Sequence, residues 1–156
     1  MYVSREEALK RHKLAHKILL DYLQKMRQHR SRLHFNLAEW FVPHYNFRLE
    51  LDEEQRDEIP HECGAVACAV GILCYSDRFP YLHLRGSHPS DGQYTGWCAV
   101  DNCFGVMDDA NPDGKVRDLF LKCHYDSSEP TSGPEGLSLL LGKMRARIEE
   151  LEDDHG

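Results

Sequence analysis

The sequence contains no long hydrophobic run. No stretch approaches the roughly 20 consecutive apolar residues of a membrane-spanning helix, and residues 1–10 lack the apolar segment of a secretion signal. We therefore expect a cytoplasmic protein without a membrane partner. Internal repeats and low-complexity tracts are also missing. With 156 residues, 41% of them hydrophobic and 29% charged, the chain is not expected to be disordered, and one folded domain is predicted.

A complete set of metal ligands is missing as well. His61 and Cys63 lie close together, but no second pair of ligands follows nearby. Cys63 and Cys68 are five residues apart, and on one helix such side chains point roughly 140° from each other. We therefore expect no metal and no other cofactor. Because a secretion signal is absent, the six cysteines are expected to be free thiols.

The net charge of −7 is unevenly distributed along the chain. Residues 1–32 hold nine basic and three acidic side chains, a balance of +6, so the remainder carries −13. This asymmetry suggests nucleic acid or an acidic partner for residues 5–32 and a cationic partner for the rest. Alternatively, the basic segment lies against the acidic body of its own chain. The basic candidate binding residues are Lys10, Arg11, Lys13, Lys17, Arg27 and Arg30.

The first segment predicts a basic amphipathic helix over residues 4–31. Ser4 and Glu7 have the spacing of a capping box, in which each side chain satisfies a free backbone N–H of the first turn. A stripe of apolar residues follows at helical spacing. Its members are Ala8, Ala15, Ile18, Leu19, Tyr22, Leu23 and Met26. His12 and His16 could hold a metal at their i, i+4 spacing, but among so many cations we expect both to be exposed.

Residues 33–125 predict a core rich in cysteine, glycine and alanine. No charged side chain occurs in residues 63–76, which favours a buried helix starting near Cys63, although Val66, Val70 and Ile72 also allow a strand. Partial alternation of apolar and polar residues, followed by turn-forming residues, predicts a short strand or hairpin near 79–95.

Two further helices are predicted in this core. Thr95 is expected to cap a helix that ends near Gly105. Asn111 is expected to cap the next helix, with Pro112 at its first position. The predicted apolar side of this second helix is formed by Val116, Leu119, Phe120 and Cys123.

The last helix is predicted over residues 133–152 and has the strongest periodicity. Its apolar positions 137, 141, 144, 148 and 151 follow heptad spacing. Packing against the first helix would bury both apolar stripes, which is the arrangement we expect. Two to three heptads are also enough for a homodimer seam through residues 134–152. The predicted fold class is therefore mainly α with a minor β component, in a single compact helical domain.

One hypothesis makes Cys63 a catalytic nucleophile. A cysteine at the first turn of a helix has a lowered pKa, as in papain-like hydrolases, and His83, His88 or His124 would then act as the base. However, this chain predicts too few strands for the sheet that presents the histidine in those enzymes. The structural alternative makes Gly64, Ala67 and Gly71 close-packing residues of a central helix.

Several short motifs together resemble a group of small phage and bacterial proteins of unassigned function. These motifs are Phe35-Asn36-Leu37-Ala38-Glu39-Trp40, Cys63-Gly64-Ala65-Val66-Ala67-Cys68-Ala69-Val70-Gly71, Cys103-Phe104-Gly105-Val106 and Leu119-Phe120. The group's pattern contains Phe-Asp/Asn-Met-x-x-Trp and Cys-Gly-Thr-x-x-Cys-x-x-Gly, followed by Leu-Gly-Leu and Leu-Phe. Ala65 stands where that pattern has threonine, and Phe104 and Val106 stand where it has leucine. The similarity covers residues 35–122.

The resemblance implies a mostly helical phage-type accessory protein and indicates no particular reaction. Together with the two charged regions, it favours a non-catalytic protein that binds a host or phage macromolecule, most simply a protein, for example as an inhibitor of a host or defence protein. If the protein is phage-encoded, its compartment would be the host cytoplasm. Trp40 and Trp97 are further candidate binding residues, beside which a small ligand could bind.

Overall fold

Helices dominate the fold, as the sequence predicts. A computed structural model describes residues 2–28, 33–38, 40–42 and 66–153, with the backbone alone for 41, 42 and 66. Its helices are α1 (Arg5–Arg27), α2 (Ala69–Tyr75), α3 (Trp97–Phe104), α4 (Pro112–Phe120) and α5 (Gly133–Asp153), with a short 3-10 helix at Lys122–His124. No helix in these ranges is both long enough and apolar enough to cross a membrane.

Two small sheets complete the described fold. In the first, β3 (Val66–Ala67) lies between β1 (His34–Phe35), which runs parallel to it, and β2 (Phe41–Val42), which runs antiparallel. The second sheet is a hairpin of β4 (His83–Arg85) and β5 (His88–Ser90). The hairpin predicted near 79–95 is thereby confirmed.

Helix α1 begins where the sequence predicts. The hydroxyl of Ser4 accepts a hydrogen bond from the backbone N–H of Glu7 at 3.2 Å, and every residue of the predicted apolar stripe is buried. The helix ends at Arg27, four residues before the predicted end. The physical reason is that Met26 is the last residue of the stripe, so a further turn would bury no apolar side chain.

The environment of His12 differs from the prediction. It was expected to be exposed, but the residue is only 1% exposed because it lies on the stripe itself, between Ala8 and Ala15. Burial lowers the pKa of His12 to about 4, so the ring is neutral at pH 7. Its Nδ1 lies 2.6 Å from the Ala8 carbonyl oxygen, and the edge of the ring meets Phe104.

Helix α5 packs along α1 in the most extensive contact between two helices of the described fold. All five predicted heptad positions of α5 are buried. The expectation that the first and last helices pack together is therefore confirmed. The apolar stripe on which a dimer seam through 134–152 would depend is occupied by α1 of the same chain. Lys13 of α1 also pairs with Glu152 of α5 at 3.6 Å.

The segment around Cys68 differs from the prediction of one helix starting near Cys63. Val66 and Ala67 form a strand, and α2 starts at Ala69 with Cys68 as its N-cap. The strand and the helix that the sequence allowed as alternatives thus occur one after the other. Val66 and Ala67 pair with two strands, which fixes them in an extended conformation and delays the helix.

Predictions for α3 and α4 are mostly confirmed. Helix α3 ends before Gly105 as predicted, but its N-cap is Gly96 and not Thr95, which instead bridges to Ser90. The side chain of Asn111 caps α4 by accepting from the Gly114 N–H at 3.2 Å. Val116, Leu119 and Phe120 are buried as expected. Cys123 is not part of this apolar side, because the helix ends at Phe120 and the thiol is exposed.

Candidate functional site

The fold brings Trp40 and Trp97 together, although they are far apart in the sequence. Their ring centroids are 4.8 Å apart and their planes are inclined at 56°. Both side chains are half-buried, and they border a cavity of about 510 Å³. The residues that line the cavity are Leu37, Ala38, Trp40, Trp97, Phe120, Leu121, Lys122 and Cys123. We refer to it as the tryptophan cavity.

Trp40 is fixed in place by direct contact of its backbone with α2. The Trp40 carbonyl oxygen lies so close to Gly71 that a Cβ atom there would overlap it. The Cys68 thiol is also directed at this carbonyl, with 3.8 Å between sulfur and oxygen. The same sulfur accepts from the Gly71 N–H at 3.4 Å. Cys68 and Gly71 therefore help to position one wall of the cavity.

The edge of the cavity beside Trp40 is a turn held by Asn36. The Asn36 side-chain oxygen accepts from the Ala38 N–H at 3.0 Å, and the Asn36 N–H donates to the Ala67 carbonyl at 2.9 Å. The Leu37 N–H donates to the Thr131 carbonyl at 2.9 Å. These bonds tie the turn to β3 and to the segment before α5, so the turn at Leu37 and Ala38 is well anchored.

Residues of the motifs that resemble the phage and bacterial group therefore meet in one place. Asn36 shapes the turn, Cys68 caps α2, and Gly71 admits the backbone of Trp40. Phe35 packs near Gly136 of α5, where an added Cβ would lie 3.1 Å from its ring. In this chain these residues have a positioning role around Trp40, which short motifs do not reveal by themselves.

The aromatic wall that begins at Trp40 is continued by Trp97, the first residue of α3. The guanidinium of Arg117 lies 5.8 Å from the centre of its ring and donates to the Asp101 carboxylate at 3.0 Å. Burial raises the pKa of Asp101, although the ion pair with Arg117 acts in the opposite direction. Arg117 and Asp101 thus connect α4 to α3 behind this tryptophan.

The last part of the lining comes from the segment that follows α4. Phe120 is buried, whereas Lys122 and Cys123 are exposed. Lys122 is the only charged side chain among the described residues of the lining. Helical spacing predicts Phe120 and Cys123 on one helix face and assigns no role to Lys122. The sequence feature that could have indicated Lys122 is its position between two apolar residues at the end of a helix.

The basic candidate binding residues of α1 fall into two groups, those with a partner in the described structure and those without one there. Arg11 donates to the Glu7 carboxylate and to the Cys103 carbonyl, both at 3.1 Å, and lies 4.2 Å from the centre of the Tyr81 ring. Lys13 pairs with Glu152. Lys10, Lys17 and Arg27 are exposed and form no ion pair with a described residue. Arg30 lies outside the described residues.

None of the described basic side chains of α1 lines the tryptophan cavity. Much of the charge on α1 instead faces acids of the same chain, as the alternative interpretation expected. Lys13 meets Glu152, Arg5 meets Asp109 at 3.9 Å, and Lys25 meets Asp21 at 3.3 Å.

The catalytic candidates are not brought together among the described residues. Cys63 lies outside them, and because α2 begins at Ala69, the expected placement of Cys63 at the first turn of this helix is wrong. His83 and His88 are exposed on the hairpin. The third candidate base, His124, pairs with Asp118 at 2.8 Å.

The described cysteines give no sign of an activated thiol. Cys74 and Cys103 are buried, and burial raises the pKa of Cys103 to about 12 and that of Cys74 further. No hydrogen bond joins a cysteine to a histidine between described residues. Nor do three or more His, Cys, Asp or Glu side chains gather there in a group that could hold a metal ion.

Comparison with known proteins finds no matching family model, no matching curated protein and no matching solved structure. The interpretation of this site therefore depends on its own geometry.

Proposed function

We propose that this protein is a non-catalytic binding protein and that a partner protein inserts a large apolar side chain into the tryptophan cavity. The observation that carries this proposal is the cavity itself, with two half-buried indole rings and a mainly apolar lining. Its volume of about 510 Å³ falls within the range typical of ligand cavities. Tryptophan is also one of the residue types enriched among the energetic hot spots of protein interfaces.

Preorganisation supports the same function. The contacts of Trp40 with Gly71 and Cys68 hold one wall of the cavity before any partner arrives. A wall that is already fixed loses little conformational freedom on binding, so more of the contact energy appears as affinity. Both rings are also only half-buried, so a partner can reach them.

The other two candidate functions receive less support. The hydrolase hypothesis required Cys63 at the start of the central helix, and that helix begins at Ala69. The nucleic-acid hypothesis required an exposed basic face over residues 5–32, and Arg11 and Lys13 of that face are engaged within the chain. The phage-type context, with a host or defence protein as partner in the host cytoplasm, is supported only by the sequence resemblance of residues 35–122.

The proposal is tested by substituting Trp97→Ala in a tagged protein used for capture from cell extract. We expect a specific partner to bind the unaltered protein and its affinity to fall on the order of 30-fold in the variant, because a hot-spot residue contributes about 2 kcal/mol or more. Surface plasmon resonance with the purified partner gives the ratio. Circular dichroism checks that the variant is folded.

A matched control is Met107→Ala, since Met107 is the most exposed large apolar side chain of the described fold, at 56%, and does not line the cavity. This variant should retain the affinity of the unaltered protein. Trp97→Phe keeps an aromatic ring and covers the case in which alanine unfolds the chain. If no captured protein depends on Trp97, the proposed function is wrong.

A further inference from the structure

We infer that the partner segment is acidic: the large apolar side chain in the tryptophan cavity is flanked by carboxylates, and Lys122 is their counter-ion. This inference rests on the proposed function, because it specifies the chemistry of the segment that enters the same cavity.

The first observation is the charge of the lining. Lys122 is the only charged residue among the described residues that line the cavity, and it is exposed. It forms no ion pair with another described residue. A second cation, Arg117, lies 5.8 Å from the Trp97 ring and is itself only partly buried. Because Arg117 is paired with Asp101, the positive charge without a described partner at the lining is that of Lys122.

The second observation concerns two acids of α3 and α4, Asp101 and Asp118, neither of which is among the described residues of the lining. Asp101 is buried and paired with Arg117 at 3.0 Å. Asp118 is paired with the ring of His124 at 2.8 Å. Both carboxylates already have partners, whereas Lys122 has none among the described residues. A carboxylate of a partner would provide the missing counter-charge.

The third observation is the contrast with the whole chain, whose net charge is −7. An acidic segment is repelled by most of such a protein and attracted only near a local cationic site. Charge complementarity of this kind selects the correct partner and the correct docking position more than it adds affinity. A basic or neutral segment would leave Lys122 without a counter-ion among the described residues and the partner.

A single-stranded nucleic acid also combines aromatic and anionic groups, but the cavity fits it less well. Grooves that follow a nucleic-acid backbone present a row of cations beside their aromatic side chains. Lys122 is the only cation among the described residues of this lining, which matches one or two carboxylates better than a chain of phosphates.

The test uses the full-length protein and its own fluorescence. The chain has two tryptophans, and both line the cavity, so a change in indole emission reports directly on its occupation. The probes are blocked peptides that contain no tryptophan and differ only in a central Glu-Phe-Glu, Gln-Phe-Gln or Lys-Phe-Lys. A fourth peptide with Glu-Ala-Glu lacks the apolar anchor.

We expect the Glu-Phe-Glu peptide to bind about five-fold more tightly than the Lys-Phe-Lys peptide at low ionic strength, as for one exposed ion pair. The difference should decrease with added salt. In the Lys122→Glu variant the order of the two peptides should reverse. Lys10→Glu changes an exposed lysine of α1 that does not line the cavity, and it should leave the order unchanged.

The outcomes separate the two proposals. Equal affinity for all three phenylalanine peptides overturns the acidic segment and leaves the apolar anchor standing. If none of these peptides changes the emission, both proposals fail for short segments. If the Glu-Ala-Glu peptide binds as well as Glu-Phe-Glu, the apolar anchor is wrong. Oligothymidylate is compared with the Glu-Phe-Glu peptide as a further probe. If oligothymidylate binds more tightly and this binding is lost in Lys122→Glu, the acidic segment is wrong and the ligand is a nucleic acid.

Discussion

Among single residues, His12 has an environment that makes stability depend on pH. It is almost fully buried on α1, and its Nδ1 donates to the Ala8 carbonyl oxygen. Burial is the main cause of its lowered pKa. Arg147 lowers this pKa further, whereas the hydrogen bond with Ala8 and the charge of Asp109 oppose the shift. The native state therefore binds a proton on this ring poorly.

We expect the protein to lose stability as the pH falls from about 6.5 to about 4. The pKa of His12 is about 4 in the folded chain and about 6.5 in an unfolded one, so within this window the unfolded state binds more protons. The free energy of unfolding then increases with pH. The full stability is present above about pH 6.5, and a loss on the order of 3 kcal/mol is expected at pH 4. Urea titration at several pH values measures it.

The variant His12→Leu should flatten this dependence, since leucine fills a similar volume and does not titrate. His83→Gln is the matched control, because His83 is exposed on the hairpin. An unchanged pH dependence in His12→Leu would show that another group controls acid stability. The sequence could have indicated this burial, because His12 falls between two members of the apolar stripe.

At the scale of elements, α2 determines where Trp40 lies. The sequence predicted close packing at Gly71 and a helix in this region, and both are observed. It did not show that the neighbour of Gly71 would be the backbone of Trp40. Nor did it show that Val66 and Ala67 would form a strand, because their extended conformation depends on pairing with β1 and β2.

Gly71→Ala should destabilise the protein by about 1–3 kcal/mol, the usual cost of forcing an added group into a packed site. The new methyl group would overlap the Trp40 carbonyl oxygen, which is backbone and cannot rotate away. We also expect a shifted indole emission and weaker binding at the tryptophan cavity. Thermal or urea unfolding and fluorescence spectra measure both effects.

Gly142→Ala provides the matched control within α5. An added Cβ at Gly142 meets no atom within 4 Å, so alanine should stabilise the helix by up to about 1 kcal/mol through its better helix propensity. Opposite signs for the two substitutions would support the packing role of Gly71. If Gly71→Ala also stabilises the protein, the inferred close contact between Gly71 and the Trp40 carbonyl does not exist.

At the scale of the whole molecule, the pairing of α1 with α5 organises the fold and part of its charge. The apolar stripes of both helices are buried against each other. At one end of this helix pair, Arg147 of α5 is buried and donates to the carboxylates of Asp109 and Glu150. Arg5 of α1 also faces the Asp109 carboxylate. The basic first helix thus lies partly against acids of its own chain.

We expect the isolated protein to be a monomer, because the heptad stripe of α5 that could form a dimer seam is covered by α1. Size-exclusion chromatography with light scattering should give a mass near 18.1 kDa over a wide range of protein concentrations. A mass about twice as large that persists on dilution would contradict this expectation. In that case another surface must form the interface. The variant Gly142→Ala, which adds a methyl group to the exposed face of α5, then tests whether this face forms it.

The sequence alone determined the features that depend on neighbours along the chain. The cap at Ser4, the cap at Asn111 and the apolar stripes of α1 and α5 follow from helical spacing, because residues three and four apart share one face. The tryptophan cavity was decided only by the tertiary structure. Its described walls come from residues 37, 38, 40, 97 and 120–123, and their meeting depends on strand pairing and on the close approach at Gly71, which no local pattern encodes.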